Sequence, residues 1–192
     1  HREVCKAANM LSSLGVKRGD RVMLVLKRHY QFWFAILGLH KLGAIAIPAT
    51  NQLMEHDFSY RFKAAGVSAI VCTADGDTAH QVDIAEADAG MKLTKIMVGG
   101  SREGWHDFNA EYGLFSRRYT RRDDAPCGDE PMLMFFTSGT TGYPKIAAHN
   151  FKYPLYHRKI LASGQPGRAA PDHLRHRLGQ EPLGKALWTV AV

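Results

Sequence analysis

Read for its alternation of apolar and polar positions, the first hundred residues fall into short β-rich runs separated by longer stretches of helical spacing. Glu3 to Leu14 is amphipathic at helical period and closes on Gly15. Arg21-Val-Met-Leu-Val-Leu26 is a continuous apolar run, the mark of a strand buried on both faces. Tyr30 to Leu42 returns to helical spacing and stops at Gly43. The pattern then predicts a strand over Ala44–Ile47 ended by Pro48, a helix over Glu55–Ala65 stopped by Gly66, and a strand over Ser68–Cys72. A helix over Thr78–Ala89 and a strand over Lys95–Val98 complete the series. Strands recurring at this spacing with helices between them predict right-handed βαβ units and an α/β fold with a parallel sheet.

The pattern changes at 101. Residues 101–131 are polar and irregular, with one short helical stretch around Asp107 to Phe115. The run Arg117, Arg118, Arg121, Arg122, Asp123, Asp124 reads as a solvated connector. Beyond it, Pro131-Met-Leu-Met-Phe-Phe136 is an apolar strand that runs straight into Thr137-Ser138-Gly139-Thr140-Thr141-Gly142-Tyr143-Pro144-Lys145.

That nine-residue stretch has the chemistry of a phosphate-holding loop. Thr137, Ser138, Thr140 and Thr141 carry hydroxyls that can donate to phosphate oxygens. Gly139 and Gly142 let the backbone turn its N–H groups toward an anion. Lys145 adds a positive charge able to follow a departing polyphosphate. It is not the kinase and GTPase P-loop, whose lysine is followed by Ser or Thr and begins a helix; here Pro144 precedes the lysine and Ile146 follows it. A P-loop phosphotransferase is thereby disfavoured.

TSGTTGYPK is similar to the signature of the adenylate-forming superfamily, which comprises acyl-CoA synthetases, luciferases and peptide-synthetase adenylation domains. Two more stretches carry the likeness. His40-Lys-Leu-Gly-Ala-Ile-Ala-Ile-Pro-Ala-Thr50 resembles a helix-to-strand segment of that family. Gln52-Leu53, Asp57 and Tyr60-Arg61 resemble the corresponding region of medium-chain and acetate-type acyl-CoA synthetases. His149, four residues past Lys145, tilts toward the same branch; it either lines a ligand pocket or is structural at a strand end. The likeness covers residues 1–156, read as a partial N-terminal AMP-binding domain.

What the resemblance implies is an AMP-forming acid–thiol ligase. The loop would grip the β- and γ-phosphates of ATP, with Mg2+ sharing their charge, while a carboxylic acid attacks the α-phosphate. The acyl-adenylate would then pass its acyl group to CoA. Thr137 through Lys145 are the expected nucleotide-binding residues, and no metal-binding residue is expected. The family's main catalytic residues, its aromatic-Gly-x-Thr-Glu motif and its small C-terminal domain have no counterpart here. The 192-residue chain is accordingly expected to be a fragment that makes no acyl-CoA alone. Two other readings are an adenylation domain that loads a carrier protein and a truncated, non-catalytic remnant.

Charge and composition alter this little. The formal net charge is +7. Residues 1–156 hold 19 Lys/Arg against 16 Asp/Glu, whereas residues 157–192 hold 6 against 2. The basic excess is therefore concentrated in the tail, without interleaved aromatics, and no nucleic-acid partner is expected. No apolar run is long enough for a membrane span. Cys5, Cys72 and Cys127 are scattered and fit reduced thiols in the core of a cytoplasmic protein, or one of the mitochondrial matrix. Residues 157–183 lose the family likeness and Gly184-Lys-Ala-Leu-Trp188 regains it. The tail 157–192 is thus read as divergent or as the product of a slipped coding frame.

Overall fold

A computed structural model describes residues 1–138 and 142–156. Four βαβ-type strands come first: β1 (Arg21–Val25), β2 (Ile45–Pro48), β3 (Val67–Thr73) and β4 (Thr94–Val98). They are interleaved with α1 (Arg2–Ser13), α2 (Gln31–Leu42), α3 (Glu55–Ala65) and α4 (Thr78–Ala89). A two-residue strand β5 (His106–Asp107) and the short helix α5 (Phe108–Tyr112) follow, then β6 (Pro131–Thr137) and β7 (Lys145–Asn150). Among the described residues these strands form one sheet in the order β5-β4-β3-β1-β2-β6-β7.

The continuous apolar runs are explained by burial on both faces. In β1, Val22 and Leu24 join Met10, Leu11 and Leu39 in the layer under α1 and α2. Met23 and Val25 point the other way, toward Phe58, Phe62 and Val82 of α3 and α4. Period two therefore splits one strand between two cores, and no position from Val22 to Val25 is free to be polar.

Helix ends are set by glycine. α2 and α3 terminate on Gly43 and Gly66, at φ of 75° and 60°, a left-handed geometry that costs other residues energy. The α3 terminus is also held by Arg21, whose Nε donates to the Ala65 and Gly66 carbonyls at 2.9 and 3.0 Å.

The helix and strand bounds expected for residues 1–98 agree with the structure within one or two positions, and those of α3 and α4 are identical. One expectation is corrected and two are extended. The βαβ strands β1–β4 pair in parallel as expected, and β7 adds an antiparallel edge next to β6. The charged run of the connector, Arg117 to Asp124, is mostly exposed as expected, and the connector also docks on the first helix and the loop after it. Asn9 of α1 donates from Nδ2 to the Ser116 and Arg118 carbonyls, both at 2.9 Å, and Arg18 binds the Asp124 carbonyl and the Glu130 carboxylate. Cys127 is exposed rather than in the core, while Cys5 and Cys72 are buried; all three are free thiols. The expected tail, 157–192, lies outside the described residues.

Candidate functional site

In a mostly parallel sheet the loops that follow the strands gather at the carboxyl edge, where such folds hold ligands. β6 lies parallel to β2, with Ala46 opposite Leu133. Its carboxyl end therefore lies on that edge next to the end of β2, with the ends of β1 and β3 further along the same edge. There His29 shares a 2.8 Å hydrogen bond with Thr73, tying the ends of β1 and β3 together. Lys27, in the β1 loop, is the non-glycine residue with positive φ (44°) among those described.

The described members of the expected nucleotide-binding set lie at the end of β6 and the start of β7. Thr137 ends β6 and pairs with Lys145, which begins β7. Ser138 is exposed just beyond β6, and Gly142 turns at φ 93°. Tyr143 is 70% exposed, Pro144 is half-buried and Lys145 is exposed. Gly139, Thr140 and Thr141 lie outside the described residues. The Thr137 hydroxyl is already engaged: its Oγ1 donates to the Lys145 carbonyl at 3.3 Å. Its proton closes the hairpin neck, leaving an acceptor face rather than a donor toward solvent.

Two side chains on α3 reach the loop. The Tyr60 hydroxyl donates to the Pro144 carbonyl at 2.9 Å, and its ring stacks on Tyr143 with centroids 5.0 Å apart. Arg61 places its guanidinium 4.8 Å from the centroid of Phe136. Burial lowers the Arg61 pKa from its ordinary value, with Asp57 and Tyr60 opposing that shift. Its Nε is buried with no hydrogen-bond partner among the described residues. The sequence pointed to Tyr60 and Arg61 only as part of a family likeness; the Tyr60 contact with Pro144 spans 84 positions and has no local signal.

His149 sits in β7, its ring 5.6 Å from Phe135 and 4.3 Å from Tyr153. It packs among aromatics on the face of the hairpin away from Tyr60, a structural setting. His40, at the end of α2, is pushed down to a pKa of about 4 by burial, with a hydrogen bond to the Met132 backbone opposing. Among the described residues no group of three or more His, Cys, Asp or Glu could hold a metal ion.

Among the described residues the turn carries the exposed Ser138 hydroxyl and Lys145 ammonium, with Gly142 between them, groups able to donate to an anion.

Known proteins share the sequence and the fold. The family model for AMP-binding enzymes matches residues 1–164. The mitochondrial acyl-coenzyme A synthetase ACSM5 of Rattus norvegicus is 38% identical over 151 residues, 76% of this chain and 25% of that protein. The mitochondrial acyl-coenzyme A synthetase ACSM1 of Mus musculus is 36% identical over 148 residues, again 76% of this chain and 25% of that protein. The chain thus spans about a quarter of the length of these curated relatives. Among solved structures, the anthranilate CoA ligase AuaEII in complex with anthranoyl-AMP superimposes with a TM-score of 0.73 at 24% identity, covering 82% of this chain and 30% of that one. That likeness supports the mostly parallel α/β fold. No described helix is long and apolar enough to cross a membrane. With the family match extending over most of its length, the chain belongs to the AMP-binding enzyme family.

Proposed function

We propose that this chain supplies the phosphate grip of an AMP-forming acyl-CoA synthetase. The substrates of the whole enzyme would be a small carboxylic acid, ATP and CoA. The observation that carries the reading is the position of the Thr137–Lys145 loop: it caps a hairpin at the carboxyl edge of the sheet, with Lys145 opposite Thr137. Ser138 and the backbone around Gly142 would bind the β- and γ-phosphates, and Lys145 would stay with the pyrophosphate as it leaves. Charge neutralisation by a lysine and directed hydrogen bonds lowers the barrier without proton transfer from the loop. The curated relatives are named as acyl-coenzyme A synthetases, which favours CoA over a carrier protein as acceptor.

Magnesium would enter on the triphosphate oxygens, since the described residues provide no carboxylate cage of the kind a protein-held Mg2+ uses. The loop residues fit that arrangement because they meet the phosphates with hydroxyl, amide and ammonium donors and leave the outer oxygens to the cation. We place the domain boundary near residue 156, the family match ending at 164, with 157–192 as a divergent or frame-shifted tail. The reducing cytoplasm, or a mitochondrial matrix, suits the three free cysteines.

The test is the double substitution Ser138→Ala with Lys145→Ala, read by calorimetric titration with MgATP. Each charge-assisted contact contributes about 1.5–3 kcal/mol, so affinity should fall at least tenfold and in the full-length enzyme pyrophosphate release should fall with it. Undiminished binding by the double variant would remove the loop from the nucleotide site.

A further inference from the structure

The Tyr60-Arg61 pair has no part in the chemistry described so far, yet it makes the contacts between α3 and the hairpin tip. Arg61 lies over Phe136 on the strand entering the loop. Tyr60 holds the limb leaving it, through the hydrogen bond to Pro144 and the stack on Tyr143, and its ring also meets Phe136 edge-on at 6.4 Å. One turn of helix thus touches both roots of the loop. Apart from the ladder of β6 with β7, the neck has the 3.3 Å Thr137–Lys145 hydrogen bond to close it. Tyr143 and Lys145 are otherwise exposed.

We propose that Tyr60 and Arg61 are positioning residues for the phosphate loop, fixing the separation of its two roots so that Ser138 and Lys145 converge on one polyphosphate. This rests on the nucleotide-binding reading given above. A binding-competent arrangement populated only in part weakens apparent affinity by that fraction. The clamp acts by keeping the fraction near one. Tyr60 touches no substrate in this scheme; it acts through Pro144 and Tyr143. Its ring is half-buried at the rim of the sheet rather than in either core, so its removal should move affinity more than global stability.

The conservative probe is Tyr60→Phe, which keeps the stack and loses the hydrogen bond; Tyr60→Ala removes both, and Arg61→Met keeps the stem while removing the cation. Three measurements separate the outcomes: thermal unfolding, amide exchange at Gly142, Tyr143, Lys145 and Ile146 without ligand, and titration with MgATP. Loss of one neutral hydrogen bond predicts for Tyr60→Phe about fivefold faster exchange at these amides and a smaller, less than fivefold, weakening of MgATP binding, because the competent fraction starts near one. Tyr60→Ala should exceed that in both readouts and Arg61→Met should shift both in the same direction, each with the melting temperature nearly unchanged. Wild-type exchange rates in Tyr60→Phe and Tyr60→Ala alike would overturn the clamp even if the unsubstituted chain binds MgATP. Faster exchange in the variants, where the unsubstituted chain itself binds no MgATP, would instead defeat the nucleotide reading, and the role assigned to the clamp with it.

Discussion

A close approach of two helices at a glycine gives this fold its sharpest stability test. Gly38 lies in the middle of α2 against α1, and a Cβ built there would sit 3.1 Å from the Ala8 nitrogen, 3.4 Å from the Ala7 carbonyl carbon and 3.5 Å from the Ala7 Cβ. Two effects oppose each other in Gly38→Ala. Replacing glycine by alanine inside a helix gains about 0.8–1.0 kcal/mol through the lower entropy of the unfolded chain. Overpacking a closed contact costs about 1–3 kcal/mol. The nearest atom decides which wins. It belongs to the α1 backbone, so it cannot rotate away as a side chain would; relief requires α1 to move as a body. That movement is resisted by Met10 and Leu11, both fully buried, and by the two hydrogen bonds from Asn9 to the connector. The clash should therefore prevail, with a net loss of about 1 kcal/mol and a fall in melting temperature of about 2–4 °C for a unit of this size. Thermal unfolding followed by far-ultraviolet circular dichroism measures it. A rise in melting temperature would refute the reasoning outright. A double-mutant cycle with Ala7→Gly locates the contact: because the backbone nitrogen limits the approach, coupling should stay below about 0.5 kcal/mol.

Other outcomes follow from the polar groups. Asp83 on α4 accepts from Lys95 at 2.7 Å, Arg102 at 2.8 Å and Trp105 at 3.0 Å, so Asp83→Asn should cost about 2 kcal/mol in denaturant unfolding. Burial alone would raise the Asp83 pKa, but its hydrogen bonds from Lys95, Trp105 and Arg102 and the Lys95 charge outweigh that and lower it. Its stabilisation is present above the unfolded carboxyl pKa and is lost as pH falls through the lower folded value; Asp83→Asn should flatten that acid limb of the melting profile. For Lys95, desolvation pulls the pKa down while Asp83 and Glu86 raise it overall, so its contribution is complete below the unfolded lysine pKa and disappears as pH rises through the folded one. His40 titrates at about 4 when folded and near 6.5 when unfolded, so between those values the unfolded chain binds the extra proton and acid weakens the fold. His40→Phe should raise the melting temperature at pH 5 relative to pH 7; an unchanged pH profile would show that the burial of His40 does not govern its protonation.

The parts of this fold that could be read from the sequence are those whose cause is local. α3 and α4 were bounded correctly because each stops at a glycine that the chain uses in left-handed geometry, Gly66 and Gly90. The central strands announced themselves because burial on two faces leaves no polar position in Val22–Leu24. β7 had no comparable signal. Lys145-Ile-Ala-Ala-His-Asn150 contains one strong strand former, and the loop before it is too long to mark a tight hairpin; it is a strand because β6 offers it a partner. The candidate site divides in the same way. The proposal of phosphate chemistry rests on the composition and order of the hydroxyls, glycines and lysine, which are local features. The commitment of the Thr137 hydroxyl to the hairpin neck depends on strand register, and the reach of Tyr60 to Pro144 depends on where α3 lands against β6.

Strand register also explains why such a loop belongs on an antiparallel turn at the edge of a parallel sheet. A phosphate grip needs a hydroxyl and a cation on adjacent oxygens, yet Ser138 and Lys145 are well separated along the chain. Antiparallel pairing returns the chain so that Thr137 faces Lys145 directly, and opposed residues in such a ladder lie about 4.5–5.5 Å apart between their Cα atoms. Ser138 follows Thr137 directly, just beyond the strand, and so starts the turn beside the paired lysine. A one-residue slip of β7 would turn the Lys145 side chain to the opposite face of the sheet. The ladder alone guards weakly against that slip, because the alanines of β7 discriminate little between registers. The contacts of Tyr60 with Tyr143 and Pro144 fix the residues just before Lys145 against a helix, and so set the register at the position where the proposed chemistry needs it.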